Sequence, residues 1–160
     1  MNTLEKQSTV HNTFVIEHSY HATPERVFAA FADPAKKRRW FFEGDHHDLE
    51  SYEMDFRVGG WERARFRFKE GTPVAGMTCT NDIIYQDIVP NRRVVSASTM
   101  TLGERCISAG LATIELLATD TGTDLICTHQ GAFFEGADGP QMREAGWRKL
   151  LEKLDKEFAQ

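Results

Sequence analysis

The chain has 160 residues and a formal net charge of -5, with 41% hydrophobic and 27% charged residues. That size fits one domain, which on folding buries roughly two-thirds of the unfolded surface, so a core needs no staples. The acidic balance argues against nucleic acid as a partner, which requires a clustered basic face, and no apolar run approaches the roughly 20 residues that cross a bilayer.

Residues 1–12 are polar and lack the apolar stretch of a signal peptide. They are expected to form a flexible N-terminal segment ahead of one domain over 13–160. The three cysteines, Cys79, Cys106 and Cys127, form no CxxC pair and are odd in number. Free thiols suit a reducing compartment, so the expected location is the cytoplasm.

The first strand is expected over Thr13–His21, where Phe14, Ile16, His18 and Tyr20 share one face. Thr23-Pro24-Glu25 starts a helix with a cap, a proline and an acid in the first turn. Asp33-Pro34 repeats the device, so a second short helix runs to about Phe41. The run Lys36-Lys37-Arg38-Arg39 on it reads as a solvated face. Glu43–Glu50 is acidic, His-rich and reads as a loop, followed by a strand over Ser51–Arg57. Gly59-Gly60 marks a turn or bulge. Trp61–Lys69 then sets Trp61, Arg63, Arg65 and Arg67 against Glu62, Ala64, Phe66 and Phe68. Phe66 and Phe68 inward with Arg65 and Arg67 solvated is the favoured register. Arg63 stays open, since a bulge at the glycine pair would shift the register; turned inward, it would need an acid partner such as Asp55 or Glu53. Further strands are expected over Met77–Val89, Arg92–Thr101, Ile107–Ala118 and Thr123–Phe134. The last two join at the hairpin turn Asp120-Thr121-Gly122. Beyond Pro140, Trp147, Leu150, Leu151, Leu154 and Phe158 form one stripe of an amphipathic helix.

Short turns make antiparallel neighbours, and a sheet with one apolar face needs a cover. The fold class is therefore α+β. Several motifs fall in one order: TPERVFAAFADP (Thr23–Pro34), Trp40, DFRVGG (Asp55–Gly60) and NDIIYQDIVPNRRVV (Asn81–Val95). The strand ending in THQGAF and the segment GWRKLLEKL (Gly146–Leu154) complete it. Together they resemble the START-like (SRPBCC) superfamily, in the branch similar to the C-terminal domain of the activator of the Hsp90 ATPase. The resemblance implies a helix-grip fold. A curved antiparallel sheet of about six to seven strands wraps a long C-terminal helix, with two short helices after the first strand. It also implies a cavity for a small apolar or amphipathic molecule and no universal catalytic set; no cofactor is expected. Where an acid is expected before Gln-Gly, this chain has His129.

The residues expected to line that cavity are Trp40, Trp61, Tyr85, His129, Phe133, Trp147 and Leu150. His129 follows Leu125 and Cys127 in register, so it faces the cavity if they do, as a general base or a core histidine. Asp45, His46, His47 and Asp48 hold metal-ligand types, but adjacent residues rarely chelate one ion, and no metal is expected. Motifs of the GxSxG, P-loop and GxGxxG kinds are missing. The leading expectation is ligand binding without defined catalysis. The alternatives are a cyclase- or hydrolase-like enzyme with His129 as base and Tyr85 or an arginine stabilising an anion, and an Hsp90-activator-like interaction protein. Homodimerisation is compatible with such folds.

Overall fold

In a computed structural model, residues 8–159 are described. Residues 1–7 of the expected flexible segment lie outside them, whereas residues 10–12 already belong to a strand.

Seven strands alternate inward apolar and outward polar residues: β1 (Val10–Tyr20), β2 (His47–Met54), β3 (Trp61–Phe68), β4 (Thr78–Val89), β5 (Arg93–Leu102), β6 (Arg105–Ala118) and β7 (Thr123–Phe133). They form one antiparallel sheet in the order β1-β7-β6-β5-β4-β3-β2. The covering helices are α1 (Pro24–Ala32), α2 (Pro34–Lys37) and α3 (Pro140–Leu154), the last running into a 3-10 turn at Asp155–Phe158. Thr23 and Asp33 cap α1 and α2, accepting from the N–H groups of Arg26 and of Ala35 and Lys36 respectively.

The inner face of β1, β6 and β7 meets α1 and the C-terminal half of α3 in the main core. Phe14, Ile16, Val27, Ile114, Leu125 and Leu151 are buried there. Each such side chain contributes about 1.5–3 kcal/mol of hydrophobic stabilisation. Tyr20 ties strand to helix by donating to the Leu151 carbonyl at 2.7 Å.

Two element boundaries differ from expectation. β2 begins at His47 inside the presumed acidic loop, because its acids lie on an outward strand face. There Asp48 meets Lys69 at 3.6 Å and Glu50 meets Arg67 at 3.3 Å. The second helix ends at Lys37 and widens into a π-helical turn, Arg38–Phe42. That turn buries Trp40 and Phe42 and leaves Arg38 and Arg39 outside.

The register of β3 follows the favoured alternative. Glu62 and Ala64 are buried and Trp61, Arg63, Arg65 and Arg67 face out. Arg63 pairs with Asp82 across β4 rather than with Glu53 or Asp55. The Gly59-Gly60 turn extends the ladder, since Gly59 donates to the Tyr85 carbonyl and Tyr85 donates to that of Gly60. A Cβ on Gly60 would lie 2.1 Å from the Asp55 carbonyl oxygen, so only glycine fits the turn.

Candidate functional site

Between sheet, α1, α2 and α3 lies a cavity with a polar wall of Lys37, Tyr85 and Ser96 and an apolar wall that includes Val94, Ile114 and Trp147. Its volume is about 20 Å³. That holds about one water, against roughly 300–1,000 Å³ for a drug-sized ligand site. The expected cavity is therefore present but nearly closed. Trp147 reaches in from α3, and Phe56 packs edge-on against Tyr85 at 4.9 Å.

A buried charged network stands behind the polar wall. Glu62 is 1% exposed and Lys37 6% exposed. Lys37 Nζ donates to Glu62 Oε1 at 3.1 Å, and Tyr85 Oη donates to the same oxygen at 2.7 Å. Tyr52 Oη donates to Oε2 at 2.5 Å. Burial, reinforced by the Glu62 carboxylate, pushes both phenols well above their ordinary pKa and keeps them as donors. The Lys37 ammonium also lies 4.6 Å from the centroid of Phe41. The solvated reading of Lys37 is thus corrected: its position on the helix aims it at the gap, while Lys36, Arg38 and Arg39 remain exposed.

His129 sits towards the other side of the concave face, 4% exposed and stacked on Phe14 at 4.8 Å. Its Nδ1 has no hydrogen-bond partner. The ring lies over Gly110 and Gly131, where a Cβ on Gly131 would come within 2.8 Å of it. Burial, then the charge of Arg143, pulls its pKa down to about 4, with Asp138 acting weakly the other way. Arg143 itself is held by Asp138 and Ser108.

This depression makes a pH prediction. An unfolded histidine takes a proton near pH 6.5, the folded one only near 4. The stabilisation from keeping it neutral is complete above 6.5 and is lost as pH falls towards 4, by about 3 kcal/mol. An NMR titration of the His129 ring should show a midpoint near 4; a midpoint near 6.5 would contradict the buried environment.

Among the residues expected to line the cavity, Tyr85 and Trp147 do so. Trp40 is core, donating its indole N–H to the Ala30 carbonyl at 2.8 Å. Leu150 is half-buried against the core. Phe133 is buried beneath the Arg143 guanidinium, 5.1 Å from its ring centroid. Trp61 does not belong to the site. It is 42% exposed on the convex face, in phase with the arginines. Lys37 and Glu62 are the functional candidates that sequence reasoning passed over. Cys79 and Cys127 are buried thiols whose pKa values burial pushes up to about 12, which suits core residues rather than nucleophiles. Among the described residues no group of His, Cys, Asp and Glu is arranged to hold a metal, and no helix is long and apolar enough to cross a membrane.

A curved seven-stranded sheet gripping a C-terminal helix over a cavity with one polar wall defines a START-like protein of helix-grip fold. The chain belongs to the family of activator of Hsp90 ATPase homolog 1-like proteins, whose model matches residues 21–159. It is similar to the crystal structure of the Mll3558 protein from Rhizobium loti, with 44% identity and a TM-score of 0.84, covering 94% of this chain and 99% of that one. An uncharacterised protein from Rhizobium leguminosarum is 36% identical with a TM-score of 0.86, covering 94% and 95% of the two chains. Protein CV1439 from Chromobacterium violaceum is 26% identical with a TM-score of 0.75, covering 91% and 96%. No curated protein matches. The fold is one that commonly binds hydrophobic ligands.

Proposed function

We propose that this protein binds a small apolar or aromatic molecule between the sheet and α3, without covalent chemistry. The observation that carries this is the Lys37–Glu62 pair with its two tyrosines, buried beside the cavity. A buried ion pair is seldom more stable than apolar residues of equal volume. Its placement at a void is better explained by a ligand than by folding.

Binding requires the gap to widen, and the N-terminal half of α3 is built to yield. Gly139 caps it without a side-chain bond, and the fully buried residues of α3, Leu151 and Leu154, lie in the other half, so the N-terminal half is tied to the sheet through Arg143 on Ser108 and Phe133. Gly146 sits mid-helix just before Trp147. Glycine there weakens the helix by roughly 0.5–1 kcal/mol relative to alanine. A Cβ at Gly146 meets nothing within 4 Å. Gly146→Ala should therefore stabilise the protein by about 0.5–1 kcal/mol and slow ligand association severalfold in stopped-flow mixing. Unchanged association kinetics would exclude α3 as the gate.

The general-base alternative is poorly served by His129. Its low pKa makes it a weak base near neutrality, and no acid orients its Nδ1. A chaperone-partner role has the family description alone behind it. The reading itself is tested by titrating the Trp61→Phe protein with lipids and aromatic compounds. The remaining tryptophans, Trp40 and Trp147, lie near the gap, so a saturable fluorescence change is expected. A flat response across the panel would remove the small-molecule reading.

A further inference from the structure

We infer that the ligand carries an uncharged oxygen, a hydroxyl or carbonyl, which seats against Lys37 and Tyr85; this rests on the binding function proposed above. The donor and acceptor inventory at the polar wall leads there. The ammonium of Lys37 has three N–H donors, and one goes to Glu62 Oε1. The side chain lines the cavity, and besides Glu62 its ammonium meets the rings of Phe31, Phe41 and Phe42, so an oxygen on a guest would be a stronger acceptor for the remaining donors. The hydroxyl hydrogens of Tyr52 and Tyr85 are both committed to Glu62. Tyr85 also lines the cavity, so what it offers a guest is the lone pairs of its oxygen. The free groups are thus cationic donors next to a neutral acceptor. A hydroxyl satisfies both, accepting from Lys37 and donating to Tyr85; a carbonyl satisfies the first.

Charge excludes the competing chemistries. Lys37 and Glu62 neutralise one another at 3.1 Å, and both are almost fully buried. A carboxylate guest would place a second anion beside Glu62, whose attraction for Lys37 it would have to share. An ammonium guest would face Lys37. Like charges close together in a poorly solvated site repel strongly. A hydrocarbon would leave the spare donors of Lys37 buried and unpaired, which is unfavourable for a charged group. The rest of the guest lies against Val94, Ile114 and Trp147, so its body is apolar.

Three probes of matched shape test this: 4-ethylphenol, 4-ethylbenzoate and ethylbenzene, with binding followed by the indole N–H resonance of Trp147. The phenol should bind at least about tenfold more tightly than either of the others, the scale of one hydrogen bond to a charged group. The double variant Lys37→Met/Glu62→Gln, which removes both charges together, should bind ethylbenzene at least as well as the native protein. In it the preference for the phenol should fall to about twofold or less. Equal binding of phenol and ethylbenzene, or tightest binding of the benzoate, would overturn the neutral-oxygen assignment while leaving ligand binding intact. A phenol preference that survives in the double variant would also overturn it. Failure of all three to bind would overturn both proposals.

Discussion

Replacing Glu62 by glutamine should lower stability to urea by about 3–5 kcal/mol, the scale expected when one partner of a buried ion pair is removed. The size of the side chain hardly changes, so the effect is electrostatic. Lys37, 6% exposed and held at 3.1 Å, is left in the interior without its counter-charge. Adding Lys37→Met should recover most of the loss, because the glutamine amide can accept from one tyrosine and donate to the hydroxyl oxygen of the other, and no unpaired charge remains. The cycle of single and double variants then isolates the coupling. If Glu62→Gln alone is as mild as the double change, the pair is solvated in solution. A buried polar wall would then be contradicted.

Leu151→Ala should cost about 2–5 kcal/mol, since a large side chain leaves a cavity in a packed core. Leu151 is fully buried and its carbonyl accepts from Tyr20, so the C-terminal half of α3 is anchored by apolar burial, whereas the N-terminal half is held by the polar contacts of Arg143. For a chain of this length each kcal/mol shifts Tm by about 2–4 °C, so a drop on the order of 10 °C is expected. Met142, on the N-terminal half and 68% exposed, is the control. Met142→Ala should change stability by no more than about 0.5 kcal/mol. Comparable losses at both positions would mean that α3 is held equally along its length, and the helix would then not open from its N-terminal end.

The fold was legible because its signals are periodic. Alternation in β1 and β7 and the stripe Trp147–Leu150–Leu151–Leu154 name their own buried faces, and the observed core uses them. Even the inward orientation of His129 followed from Leu125 and Cys127, four and two residues earlier, although it does not line the cavity. The polar wall was harder, because composition outweighed phase. Lys37 was hidden in a run of four cations, although it stands three and four residues before Trp40 and Phe41 on a helical path. Glu62 was equally visible in phase with Ala64, Phe66 and Phe68, the face expected to turn inward. A charged residue on each of two inward faces was the available signal, and the two are partners. Trp61 misled for the opposite reason. A large aromatic suggests a pocket, but alternation ties it to Arg63 and Arg65 outside. The near-closure of the cavity had no sequence signal, since packed volume depends on how Trp147 and Phe56 meet across the gap.

The decisive measurement is backbone NMR of the protein saturated with an apolar aromatic compound such as ethylbenzene. Admission beneath α3 predicts that the shifted resonances cluster at Lys37, Tyr85, Val94, Ile114 and Trp147, which surround the gap. Shifts confined to the convex patch of Trp61 and Ile84, or to the outer groove between Arg26 and Phe158, would place binding elsewhere and contradict it.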